Sequence, residues 1–193
     1  MGFVSVPSTQ PADSGDQRSV SSVEEVRWLE PGELDAWLTY LAATTLLEAE
    51  LDRQLQRESG MPHAYYQVLA MLSDVPGRTM RMSDLAAITQ SSQSRLSHAV
   101  ARLERQGWVR RIPCPNDRRS TFAQLTEAGF GALAAAAPGH VRTVRRHLID
   151  RLTPEQVEQL RDIGKAVLAG LGVDLGRAPL PAAVVQAEER RRS

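Results

Sequence analysis

The stretch Ser91-Ser-Gln-Ser-Arg-Leu-Ser-His-Ala-Val-Ala-Arg-Leu-Glu-Arg-Gln-Gly107, continuing as Trp108-Val-Arg-Arg-Ile-Pro-Cys-Pro-Asn-Asp-Arg-Arg-Ser-Thr-Phe-Ala-Gln-Leu125, decides the fold. At 100° per residue, Ala99, Val100 and Leu103 fall near Leu96, while Ser94, His98 and Arg102 lie opposite. One face packs and the other is free. Ser91 or Ser92 offers an N-terminal cap, and Gly107 a C-terminal one. Beyond it, the β-prone segments Trp108–Ile112 and Thr121–Leu125 enclose the turn-rich Pro113, Cys114, Pro115, Asn116 and Asp117, the pattern of a hairpin.

Working outward, Pro62 sits at the start of a helix striped by Tyr65, Val68, Leu69 and Leu72. That helix ends between Asp74 and Gly77. Ser83 is expected to cap a short helix carrying Leu85 and Ile88. The order helix, tight turn, helix, hairpin is a winged helix-turn-helix. Further out, Leu34, Trp37, Leu38, Leu41, Leu47, Leu51 and Leu55 share one side of a long first helix. After the hairpin, Thr126 can cap a long segment to Leu152 that Pro138 and Gly139 are expected to kink or break. The last helix opens on Thr153, Pro154 and Gln156 as a capping box, with Leu152 and Val157 as a staple. Its stripe is Val157, Leu160, Ile163, Val167 and Leu171. The expected fold is mainly α: a winged helix-turn-helix at 61–125 with a two-stranded hairpin wing, flanked by helices at 23–60 and 126–171. Residues 1–22, rich in Ser with Pro and Gly, and 172–193, rich in Gly and Pro before a terminal Arg run, read as tails.

The 23 basic and 23 acidic residues cancel, so no global field names a partner. Their layout is uneven. Residues 1–60 hold 11 acidic and 4 basic residues, 61–131 hold 5 and 9, and 132–193 hold 7 and 10. The winged segment is net +4, between an acidic head at −7 and a C-terminal part at +3. No apolar run approaches the ~20 residues of a membrane span, and no secretory signal opens the chain, so a cytoplasmic location is expected.

The free face of the candidate recognition helix is Ser92, Gln93, Ser94, Arg95, Ser97 and His98, without an acidic side chain. Short donors and an Arg there suit a helix whose first turns enter the major groove of double-stranded DNA, where Arg and Gln pair with guanine and adenine edges. In the wing, Arg110, Arg111, Arg118 and Arg119 cluster on one small protrusion. Such a wing can run along phosphates and insert an Arg into the narrow minor groove. Asp117, two residues from Arg119, can accept a bidentate hydrogen bond and fix the guanidinium's direction.

Through Leu85-Ala86, Ser94-Arg95-Leu96, Leu103-Glu104, Gly107 and above all Asp117-x-Arg119 followed by Leu125-Thr126, the sequence resembles the multiple-antibiotic-resistance regulator (MarR) family over about residues 30–171. The resemblance implies a homodimeric winged-helix transcriptional regulator, dimerised by its first and last two helices. The resemblance leaves repressor and activator open; our reading is a repressor that binds a pseudo-palindromic operator and is released by a small-molecule effector, located in the cytoplasm with the nucleoid. Arg119 becomes the minor-groove arginine, Asp117 its orienter, and Ser92 to His98 the base-reading residues. Family effector pockets lie where dimerisation helices meet the DNA-binding part; Trp37, Tyr40, Tyr65 and Tyr66 are the candidates to line one here, the alternative being that all four are core. Ala137 to His140 and Thr153 to Gln156 look like the actinobacterial branch of that family, and 22 Arg against 1 Lys suits a GC-rich genome.

Competing signals are weaker. Gly129-Phe-Gly131-Ala-Leu-Ala134 matches a dinucleotide fingerprint, but no second parallel strand follows, which favours helix packing through small residues. His63, His98, His140 and His147 are scattered and read as surface residues. No metal, cofactor or enzymatic motif is expected. The single cysteine, Cys114, excludes an internal disulfide. It reads as a bystander in the wing turn; the redox alternative is a sensor thiol beside Arg110, Arg111 and Arg118. A different alternative altogether is a winged helix used as a protein-interaction module.

Overall fold

The computed structural model describes residues 26–89, 91–114 and 117–172, with the side chains of 117–119 excepted. Both expected tails, apart from Gly172, lie outside the described residues. The chain divides after Leu38 into two compact units. In the first, Arg27 pairs with Glu33 at 3.2 Å, and Trp28, Leu29, Leu34, Trp37 and Leu38 are exposed.

The elements are α1 (Pro31–Ser59), α2 (His63–Ser73), β1 (Thr79–Arg81), α3 (Met82–Ile88), α4 (Gln93–Arg105), β2 (Val109–Cys114), β3 (Asp117–Leu125), α5 (Glu127–His147) and α6 (Pro154–Gly170). The core belongs to the second unit. Leu55 of α1, Leu69 and Leu72 of α2, Leu85 of α3, Leu96, Val100 and Leu103 of α4, Ala123 and Leu125 of β3 and Leu133 of α5 are buried together. Each fully buried Leu or Val contributes about 1.5–3 kcal/mol over leaving it in water. This packing fixes the position of α4.

The sheet differs from the expected two strands. It has three, in the order β1-β3-β2, both pairings antiparallel. The third strand, β1, has three residues, too few to show an alternating pattern, and its partner β3 lies some forty positions on. Ser83 is also not the cap of α3. The helix starts at Met82, and the Ser83 hydroxyl donates to Asp84 Oδ1 at 3.0 Å.

Pro138 does not break α5, which runs from Glu127 to His147 with Pro138 inside it. The missing N–H and the ring clash cost a helix interior about 3 kcal/mol. Here Ala136, Ala137 and Gly139 are buried, so packing of that turn outweighs the loss. A Cβ on Gly139 would collide with Glu58 Oε2 and with Gln54 Nε2, which shows how closely α1 and α5 approach. At the other end, α6 has the full capping box: Thr153 Oγ1 accepts from the Gln156 amide at 3.3 Å and Gln156 Oε1 from the Thr153 amide at 2.9 Å. No residue of α6 is buried.

Candidate nucleic-acid interface

Helix α4 is started by Ser92, whose Oγ accepts from the Arg95 amide at 3.3 Å, and is left through Gly107 at φ 72°. That left-handed φ is unstrained only for glycine. With Leu96, Val100 and Leu103 turned into the core, Ser92, Gln93, Ser94, Arg95, Ser97 and His98 are all exposed. The acid-free face is open along its length.

Beside it stands the wing. Arg110 is exposed and donates from Nε to Gln124 Oε1, its cross-strand neighbour, at 2.6 Å. Arg111 does not project as a free cation. Its guanidinium and its amide are engaged by Glu104 and Ser97 of α4. The side chains of Asp117, Arg118 and Arg119 lie outside the described residues; their backbone forms the start of β3, with Asp117 opposite Cys114. Between the start of α3, the face of α4 and the wing lies a polar cleft of about 540 Å³, lined by Arg81, Ser83, Gln93, Ser97, Arg111 and Thr121 among others.

Cys114 is not a turn residue. It ends β2, is buried, and receives Arg81 Nη2 at 3.7 Å. The arginine described beside it is therefore one that sequence reading had not placed there. Arg81 also donates to Ser120 Oγ at 3.2 Å and lies over the Phe122 ring, so it ties β1 to the wing.

Of the candidate pocket aromatics, Trp37 belongs to the first unit and Tyr40, Tyr65 and Tyr66 to the second. Tyr40 is exposed, Tyr65 packs partly buried on the core, and Tyr66 is buried. Burial without a hydrogen-bond partner for its hydroxyl pushes the Tyr66 pKa up to about 12.

The histidines are not all surface residues. His63 is buried and His140 half-buried, with ring centroids 5.5 Å apart, and His140 lies 4.3 Å from the Tyr66 ring. His63 Nδ1 meets Glu48 Oε2 at 2.8 Å, and its amide donates to Asp52 Oδ1 at 2.9 Å. No group of three or more metal-ligating side chains occurs among the described residues. Burial, with His63 adding to it, lowers the His140 pKa from 6.5 to about 4. The unfolded chain therefore takes up this proton first on acidification. The contribution of His140 to stability is whole well above pH 6.5 and is lost as the pH falls toward 4, by about 2 kcal/mol between pH 7 and 5. His140→Phe, which keeps a ring against Tyr66, should flatten that part of the profile in thermal melts. Equal acid sensitivity in wild type and variant would refute the assignment.

A helix-turn-helix whose second helix presents an open, acid-free face next to an antiparallel wing defines the class: a winged helix-turn-helix protein. The sequence model of the MarR family matches residues 59–120. The chain is similar to Sco3205, a MarR family transcriptional regulator from Streptomyces coelicolor solved in complex with DNA. They are 51% identical, with a TM-score of 0.74, over 82% of this chain and 98% of that one. It is also similar to AbsC, a MarR family regulator from the same organism, at 44% identity and a TM-score of 0.70, over 76% and 98% of the two chains. The transcriptional repressor MprA of Escherichia coli is 25% identical over 118 residues, which span 61% of this chain and 66%, just under two thirds, of MprA. The chain belongs to the MarR family of transcriptional regulators.

Proposed function

We propose that the protein is a homodimeric repressor that binds a pseudo-palindromic operator in double-stranded DNA and is released by a small-molecule effector. The observation that carries this reading is the open face Ser92, Gln93, Ser94, Arg95, Ser97 and His98 on a helix whose opposite side is locked into the core. Such a face is built to enter a major groove. The relative solved with DNA, similar over nearly its whole length, supports it. Helices α1, α5 and α6 are read as the dimerisation elements, Asp117 and Arg119 as the wing-tip orienter and minor-groove arginine, and the cytoplasm, with the nucleoid, as the location. Within the second unit, Tyr40, Tyr65 and Tyr66 are read as candidate effector contacts.

The test begins with selection of bound duplexes from a randomised pool. The enriched sequence should be two-fold symmetric, with half-sites about 10–10.5 bp apart. Enrichment of no sequence at all favours the protein-interaction alternative. On the selected duplex, Arg119→Ala should weaken binding by about 1–3 kcal/mol. Asp117→Ala should weaken it too, although removal of a negative charge near phosphates favours binding on electrostatics alone. Fluorescence anisotropy reads both. Tighter binding by Asp117→Ala, with Arg119→Ala unchanged, would sink the wing assignment.

A further inference from the structure

We infer that Arg111 and Glu104 form a clasp that sets the position of the wing against the recognition helix, so that Arg111 is a positioning residue of the DNA interface and not a phosphate contact. The inference rests on the DNA-binding reading above. Between Ser92 and Arg111 the only acidic residue is Glu104, and a lone carboxylate in so basic a stretch needs a reason to be there. Both of its oxygens are used by Arg111. Oε1 accepts from the Arg111 backbone amide at 3.0 Å, and Oε2 pairs with Nη1 at 3.1 Å. The same guanidinium reaches further along α4, where Nη2 donates to the Ser97 carbonyl at 2.8 Å and to Ser97 Oγ at 3.1 Å.

One strand residue therefore holds the helix at two levels, seven residues apart, and one of them, Ser97, lies in the row that faces the groove. Both side chains of the ion pair are about one-third exposed, so its contribution to overall stability is small. Its geometric content is larger, because three directional hydrogen bonds and an ion pair leave the hairpin one angle relative to α4. A guanidinium so occupied has few donors left to run along a phosphate. The wing tip and α4 must reach adjacent grooves at once, and a wing free to rotate about its base loses affinity without any lost DNA contact.

The test is a double-mutant cycle read by anisotropy on the duplex selected by wild type and on a scrambled one. Glu104→Gln keeps the shape, removes a negative charge from the recognition helix, and on electrostatics alone should tighten binding. The clasp predicts the opposite sign. Glu104→Gln and Arg111→Ala should each weaken binding to the selected duplex about tenfold, with a smaller change on the scrambled one, and the double variant should be no weaker than Arg111→Ala. Melting temperatures within a few degrees of wild type show that the fold is intact; should Arg111→Ala melt far lower, Arg111→Lys takes its place in the cycle. Binding by Glu104→Gln as tight as wild type or tighter overturns the clasp, as does full additivity in the double variant, while the DNA-binding reading survives both. A wild type that selects no duplex overturns the two together.

Discussion

Ile163→Asp should leave a folded monomer that binds the selected duplex about a hundredfold more weakly than wild type, a loss of roughly 3 kcal/mol. Leu160, Ile163 and Val167 of α6 and Leu171, its C-terminal cap, recur at spacings of three and four, which places them on one side of that helix. All four are exposed, Ile163 at 57%. A helix with a strong capping box and an uncovered apolar stripe is built to meet something, and exposed apolar area of this kind marks an interface. In the proposed homodimer this interface would be isologous, so a single substitution would place a carboxylate in it twice. Burying each without a partner costs several kcal/mol. The variant's own fold is spared because no residue of α6 contributes to the core. DNA binding falls because a monomer holds one half-site and loses half of the phosphate contacts. Sedimentation equilibrium measures the first step and anisotropy the second. A variant that stays dimeric at micromolar concentration, or a wild type that is monomeric there, removes the argument.

The parts of this fold that could be read from the sequence are those whose physics is local. The Ser92 cap, the Gly107 exit, the Thr153 to Gln156 box and the division of α4 into a packed and an open face each depend on residues within one or two helical turns. The structure contains all of them. What was not legible depends on partners far along the chain. Strand β1 exists because β3 pairs with it. Pro138 stays helical because α1 packs against its turn. His63 and His140, 77 positions apart, meet only when α2 and α5 dock. Arg111 shows both sides of this. Its presence on the wing was evident, but its direction was not, because that depends on Glu104 being brought level with it by the hairpin. The lone acid in an otherwise basic segment was the signal available.

Gly129→Ala, the smallest possible enlargement, lowers stability by about 3 kcal/mol, which for a chain of this size is a fall of about 10 °C in melting temperature. The glycine is in the first turn of α5, where the winged segment passes into the long helix. A Cβ there would be driven into the Trp108 carbonyl oxygen and would meet Leu125 Cδ1 at 2.8 Å. A flexible side-chain end can move aside, but this oxygen cannot. It accepts from the Thr126 amide at 3.0 Å, while the Thr126 hydroxyl donates to the neighbouring Gly107 carbonyl at 2.7 Å and accepts from the Gly129 amide at 3.0 Å. The cap of α5 and the entry to the wing are therefore a single hydrogen-bonded knot with room for hydrogen alone. Relief requires α5 to move away from Trp108, which loosens Leu125 and Leu133 in the core and shifts the base of β2. The same displacement tilts the wing, so affinity for the selected duplex should fall as well at temperatures where the variant is still folded. Gly131→Ala is the control: nothing lies within 4 Å of a Cβ at that position, and alanine in place of glycine in a helix interior stabilises by about 1 kcal/mol. Opposite signs for two glycines two residues apart, read in parallel melts, is the expected result. Equal melting temperatures for the two variants would show that the Trp108 carbonyl is free to yield.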